Sequence, residues 1–172
     1  MKPGTLYILS GLPGVGKSTL GKLLARHTRA MYLRIDTIEH ALFDLCAFKA
    51  EGEGYQLSYR LAQDNLSLGV SVIADSCNPV ELSRNAWQQV AKNSGAEFFD
   101  IEVYCSVVEE HRKRVEDRWK AGDRNRLPTW QDVQNREYHA WQEPVIRIDT
   151  SEWSPEQSLQ RLMKQLQTPA SI

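Results

Sequence analysis

Gly11-Leu12-Pro13-Gly14-Val15-Gly16-Lys17-Ser18-Thr19 fits G-x-x-x-x-G-K-[ST] at every fixed position. Just before it, Leu6-Tyr7-Ile8-Leu9 is a short apolar run that reads as a buried strand. Just after it, Leu20, Leu23 and Leu24 recur at helical spacing. Strand, glycine-rich turn and helix follow in the order that phosphate binding requires. A turn of this kind aims successive backbone N–H groups inward as a nest for an anion. The helix adds its unpaired first-turn N–H groups and the positive end of its dipole. Gly11, Gly14 and Gly16 allow backbone angles closed to other residues. The pattern therefore assigns nucleotide contacts to the whole stretch from Gly11 to Thr19. It sends Lys17 to the β- and γ-phosphates and the Ser18 hydroxyl to Mg²⁺.

The bulk numbers narrow the class. A chain of 172 residues favours one domain with a real core. A net charge of −1, with 25% charged residues, argues against nucleic acid as a general partner. The cysteines Cys46, Cys77 and Cys105 are odd in number and suit no metal spacing, so they read as reduced core thiols of a cytoplasmic protein. No apolar run approaches the length of a membrane span. The first strand pattern begins within a few residues of Met1, which predicts no targeting segment.

Outward from the loop, apolar strands alternate with helical patterns. The first helix runs from Lys17 to about Thr28, and strand two is Met31 to Ile35, ending at Asp36. A helical pattern follows through Leu42 and Leu45. Lys49 to Gly54 reads as a loop, Tyr55 to Leu68 as a helix stopped by Gly69. Strand three is Val70 to Ala74, ending at Asp75. A helix is expected from Val80 to Ser94, and Phe98 to Tyr104 is strand four. Ser106-Val107-Val108-Glu109 has capping-box spacing for a helix to about Trp119. Thr129 is expected to cap a helix reaching Trp141. Val145 to Ile148 is strand five, and Ser154-Pro155 opens the last helix. Five strands with connections too long for hairpins predict a parallel sheet covered on both faces. In such sheets ligands bind beyond the carboxyl ends of the strands. Asp36, Asp75 and Asp149 fall at that edge, beside the phosphate loop.

Each acidic candidate has a plainer alternative. Asp36 is placed to accept the proton of an attacking hydroxyl near a γ-phosphate, or simply to cap the helix it precedes. Arg34, two residues earlier on the same strand face, would pair with Asp36 or meet an anionic substrate. Asp75 stands where a Mg²⁺ carboxylate is needed, or caps a turn. Asn78 reads as the start of an Asn-Pro turn. The run from His111 to Arg126 holds several basic residues that a solvated helix face would explain. Arg118, Arg124 and Arg126, however, bracket a break containing Gly122. A lid at about 118–128 would bring guanidinium groups over a transferring phosphoryl group and exclude water. Trp119, Trp130 and Trp141 read mainly as packing anchors. So do Tyr55 and Tyr59, with Arg60 beside them on a helix that would cover a substrate pocket. The four histidines show no ligand spacing.

Gly11 to Thr19, Arg34-x-Asp36, Val72-Ile73-Ala74-Asp75, the arginine run after strand four and the Trp130 to Trp141 stretch together resemble small P-loop kinases. That group includes chloramphenicol phosphotransferase, zeta-type toxins, gluconate kinase and the polynucleotide 5′-kinase domain. The resemblance implies a P-loop NTPase of nucleoside-kinase-like α/β form, a three-layer sandwich with a five-stranded parallel sheet in order 2-3-1-4-5. It implies ATP and Mg²⁺, and transfer of the γ-phosphate to a hydroxyl of a small-molecule acceptor. Lys17 and Ser18 match its nucleotide and metal residues, Asp36 its base, and Arg118 to Arg126 its lid arginines. Many relatives carry Asp-x-x-Arg where this chain has Asp36-Thr37-Ile38-Glu39. An acid there favours a neutral or cationic acceptor, sugar-like or aminoglycoside-like. The rival readings are an ATPase or switch, a toxin-like or nucleic-acid 5′-end kinase, and a module that binds nucleotide without chemistry.

Overall fold

β1 (Thr5–Ser10) is the centre of the molecule, and both of its faces are buried. A strand covered on both sides reads as a nearly unbroken apolar run rather than an alternating one, and Leu6, Ile8 and Leu9 are fully buried. The chain continues through α1 (Lys17–Thr28), β2 (Met31–Arg34), α2 (Ile35–Cys46), α3 (Glu53–Ser67) and β3 (Val72–Asp75). Then come α4 (Glu81–Asn93), β4 (Glu97–Tyr104), α5 (Val108–Ala121), α6 (Trp130–Gln134), β5 (Ile146–Asp149) and α7 (Pro155–Gln167). This computed structural model describes residues 3–122, 126–142 and 144–167.

The described strands form one sheet in the order β2-β3-β1-β4-β5, every pair parallel, as expected. Strand alternation divides the core into two layers. Leu6, Ile8, Leu33, Val72 and Ala74 face α3 and α4, where Ala62, Leu66, Trp87 and Val90 meet them. Leu9, Ile73, Ile101, Val103 and Ile148 face α1 and α7, where Leu20, Leu24 and Leu162 complete the layer. Trp87 is fully buried with Tyr59 edge-on at 4.7 Å, so truncating it to alanine would cost about 3–5 kcal/mol.

Register is what prepares the site. Leu9 of β1 and Arg34 of β2 both lie opposite Asp75 of β3. Because Ile73 and Asp75 share a face, Asp75 points to the α1 side of the sheet, together with Tyr32 and Arg34 of β2.

Several boundaries differ from the sequence expectation. β2 stops at Arg34, and Asp36 is therefore in the first turn of α2 rather than at a strand end. β3 begins at Val72, and α3 starts at Glu53, within the interval expected as loop. Ser106 does not cap α5, whose N-cap is Val107 with no side-chain bond. Its hydroxyl is engaged instead with Ser151 Oγ at 2.9 Å, and its N–H with Asp149 Oδ1 at 3.1 Å. Thr129 does cap a helix, through a capping box with Asp132, but α6 ends at Gln134 rather than Trp141. Beyond it the backbone groups go elsewhere. His139 N–H donates to Pro79 O at 2.8 Å, and His139 O accepts from the buried Arg84 at 2.8 Å. A chain that gives both groups to other elements cannot continue a helix ladder. Arg84 also lies 4.0 Å from the Trp141 ring, fixing that segment on α4. Cys46 is exposed, not a core thiol; Cys77 and Cys105 are partly buried, and all three are free.

Candidate active site

A cavity of about 730 Å³ opens at the carboxyl edge of the sheet. One wall is Pro13, Gly14 and Gly16 to Thr19, the phosphate loop and the start of α1. Gly11, Gly14 and Gly16 have φ of 140°, 85° and 99°. Those angles strain any residue with a Cβ, and at Gly11 a Cβ would sit 2.1 Å from Val103 O. Of the expected nucleotide residues, Gly11 and Val15 are buried beneath the loop, and Gly11, Leu12 and Val15 do not line the cavity.

The residues present fit a polyphosphate. α1 begins at Lys17 with Gly16 as N-cap, has no side-chain cap, and carries no acidic residue in its first turn. Its leading N–H groups and dipole are thus uncompensated by any carboxylate of the helix's own first turn. Lys17, largely buried, donates from Nζ to Leu12 O at 2.8 Å, so its ammonium is held at the loop.

The oxygen donors beside the loop fit a small hard cation. Ser18 and Asp75 line the same cavity. Asp75 is buried, and its Oδ2 accepts from Tyr32 Oη at 2.5 Å and lies 3.9 Å from Arg34 Nε. Burial pushes the Tyr32 phenol above its ordinary range, and the neighbouring Asp75 charge adds to the rise. Tyr32 therefore stays a neutral donor that orients the carboxylate. Among the described residues there is no cluster of three or more His, Cys, Asp or Glu side chains able to hold a metal by themselves. Few protein ligands with hard oxygens is the pattern of an ion held jointly with substrate phosphates.

Asp36 lines the cavity from the first turn of α2, about half-exposed, with Arg34 Nη2 2.6 Å from its Oδ2. Glu39, one turn on, lines it too; burial raises its carboxyl pKa, and the charges of Asp36 and Glu53 raise it further. Gly54 of α3 seats Glu39, since a Cβ at Gly54 would fall 2.4 Å from Glu39 Cγ.

From the far side, Arg118 and Arg126 line the cavity, while Arg124 lies outside the described residues. Arg126 reaches across to α2, forming a bidentate ion pair with Asp44 and lying 5.7 Å from the Phe43 ring.

Sequence reasoning missed several residues. Alternation puts Tyr32 on the same face of β2 as Arg34, but nothing local marks it as a partner of Asp75. His111, Arg114 and Val115 precede the expected Arg118 at i, i+3 and i+4 to its i+7 on α5, a single stripe turned to the loop. Arg114 donates to Thr150 Oγ1 and Thr150 O, both at 2.8 Å, and Thr150 Oγ1 lies 2.8 Å from Val15 O. Asn78, read as a turn residue, is fully buried with φ 42°, and its Nδ2 donates to Leu9 O at 2.8 Å.

Comparison with known proteins agrees with this architecture. The APS kinase CysC of Mycobacterium tuberculosis, solved in complex with AMPPNP and APS, superposes with a TM-score of 0.75 at 19% identity, covering 98% of this chain and 100% of that one. Chaetomium thermophilum Kti12, in complex with ADP-AlF3, gives 0.73 at 21% identity, with 96% and 100% covered. A gluconokinase from Sinorhizobium meliloti gives 0.68 at 12% identity, with 96% and 92% covered. These likenesses establish the P-loop kinase fold. No curated protein matches the sequence. The AAA_33 family model, described as an AAA domain, matches residues 6–140, and the chain belongs to that family.

Proposed function

We propose that this chain is a single-domain, ATP-dependent phosphotransferase that moves the γ-phosphate to a hydroxyl of a small-molecule acceptor. The observation that carries the reading is the meeting, in one cavity, of an uncapped phosphate loop and a carboxylate that reaches solvent, Asp36.

The loop amides and Lys17 grip the triphosphate and neutralise charge at its end. Ser18 and Asp75 would hold Mg²⁺, which supplies Lewis-acid neutralisation of the phosphate oxygens. Asp36 orients the acceptor hydroxyl and takes its proton as the oxygen attacks the γ-phosphorus. The bond to the β–γ bridging oxygen breaks, and its electron pair leaves with ADP. Arg118 and Arg126 stabilise the charge that spreads over the transferring group, from a lid near residues 118–128. Positioning contributes as much as charge, because in-line displacement needs the hydroxyl aligned behind the phosphorus.

The acceptor side favours a neutral or cationic alcohol, sugar-like or aminoglycoside-like. Glu39 supports this, because an anionic acceptor would meet its carboxyl and that of Asp36 in the same wall. The test is a screen of hydroxyl compounds for ADP formation above the acceptor-free rate, with Asp36→Asn as control. Acceptor-dependent ADP lost in the variant supports transfer. Equal ATP splitting with and without every acceptor would instead make the chain an ATPase.

A further inference from the structure

We propose that His111 is a positioning residue for the phosphate loop: by holding the Pro13 carbonyl from α5, it keeps the next amide aimed at the bound triphosphate. This rests on the nucleotide-binding reading of the loop.

The argument begins with one peptide unit. In a trans peptide the C=O and the following N–H point in opposite directions, and the described backbone has no cis bonds. Fixing the direction of Pro13 C=O therefore fixes Gly14 N–H. Pro13 has no N–H of its own, so its carbonyl is its sole backbone polar group. His111 Nε2 lies 2.8 Å from that oxygen, in a buried setting. A carbonyl can only accept, so the ring carries its proton on Nε2. Pro13 C=O is thus turned toward His111, which leaves Gly14 N–H pointing away from that ring; Gly14 itself lines the cavity.

The arrangement needs an anchor because the loop is rich in glycine. Gly14, at φ 85°, lies in a region that glycine enters and leaves freely, so the Pro13–Gly14 peptide can rotate at little cost. A rotated Pro13–Gly14 peptide would present an oxygen, not an amide, to an incoming phosphate. Repulsion would replace one hydrogen bond of the anion nest. Packing reinforces the anchor. A Cβ at Gly14 would meet Val115 Cγ2 at 2.5 Å and His111 Nε2 at 3.5 Å, so α5 lies directly against the loop. Trp130, the first residue of α6, stands edge-on to the His111 ring at 5.1 Å and fixes the ring plane. Thr150 holds the Val15 carbonyl, two residues on, in the same manner. Desolvation lowers the His111 pKa, and the positive charges of Arg114 and Lys17 reinforce the shift, so the neutral ring is favoured.

The experiment titrates the whole chain with Mg·AMPPNP and compares His111→Phe with His111→Gln. Phenylalanine keeps an aromatic ring against Trp130 and loses the donor; the glutamine amide restores a donor near the place of Nε2. His111→Phe should raise the dissociation constant by up to about tenfold, the scale of one hydrogen bond. His111→Gln should recover much of that loss. Thermal midpoints without nucleotide separate positioning from packing. Nucleotide affinity of His111→Phe equal to that of the unsubstituted chain would overturn the proposal. So would equal losses in both variants that track their stability. Failure of the unsubstituted chain to bind Mg·AMPPNP would overturn the nucleotide reading itself, and this inference with it.

Discussion

Tyr32 Oη donates to Asp75 Oδ2 at 2.5 Å, joining adjacent strands at the edge where the phosphate loop begins. The bond leaves Asp75 one oriented carboxylate oxygen for other work and brings a phenol within reach of Ser18. A residue that orients a metal carboxylate governs metal affinity more than substrate affinity. Tyr32→Phe should therefore raise the Mg²⁺ concentration for half-maximal activity about tenfold. The same shift should appear in the Mg²⁺ dependence of ADP binding, measured without turnover. An unchanged Mg²⁺ profile in both would remove Asp75 from the metal site.

Asp36 is paired with Arg34 yet still reaches solvent in the cavity. A group that acts only as a base is dispensable for binding and essential for chemistry. Asp36→Asn should lower phosphotransfer by at least about 100-fold. Mg·ATP affinity should stay within about twofold, because the loop and Lys17 hold the nucleotide. ADP formation and direct titration read the two quantities separately. Full turnover in the variant would leave the carboxylate only its structural role, as the ion-pair partner of Arg34 in the first turn of α2.

Arg126 has two jobs that can be told apart. Its ion pair with Asp44 is exposed, and solvent screening leaves such a pair little weight in stability. Its proposed contact with the transferring phosphoryl group works in a drier place, where one donor is worth on the order of 100-fold in rate. Asp44→Asn should thus change the rate by no more than about threefold. Arg126→Ala should cost far more. Equal losses in the two variants would mean that Arg126 is a tether between the lid segment and α2, with no part in catalysis.

How much of this was legible in the sequence depends on how local each signal is. The loop, its strand and its helix are contiguous, so motif and periodicity coincide in Gly11 to Leu24, and the 2-3-1-4-5 sheet follows from the resemblance they anchor. Asp75 was visible as a polar stop after an apolar run. His111, Tyr32 and Thr150 were not, because their roles depend on contacts 98, 43 and 135 residues away along the chain. The over-long helix after Thr129 failed for the same reason. Its local pattern was helical, but Arg84 and Pro79, more than 50 positions earlier, claim the backbone of His139.

Asp100 supplies a test of the core rather than the site. It lies on β4 opposite Ile8, on the face covered by α4, and is 8% exposed. Gln88 Nε2 donates to its Oδ2 at 2.8 Å, and its Oδ1 has no partner among the described residues. Burial pushes its pKa from the ordinary 3.8 up to about 6, against the opposing pull of Gln88 and Arg84. A carboxyl with a raised folded-state pKa binds protons in the native state that the unfolded chain has already released. Stability from this group is therefore greatest at acid pH and falls as pH rises from about 4 through about 6. The charged form at neutral pH then costs on the order of 2–3 kcal/mol. Asp100→Asn keeps an acceptor for Gln88 and cannot ionise. Relative to the unsubstituted chain, it should gain stability by that order between pH 4 and pH 7.5, read from urea unfolding at each pH. A difference between the two proteins that is the same at both pH values would show that Asp100 does not titrate in this window.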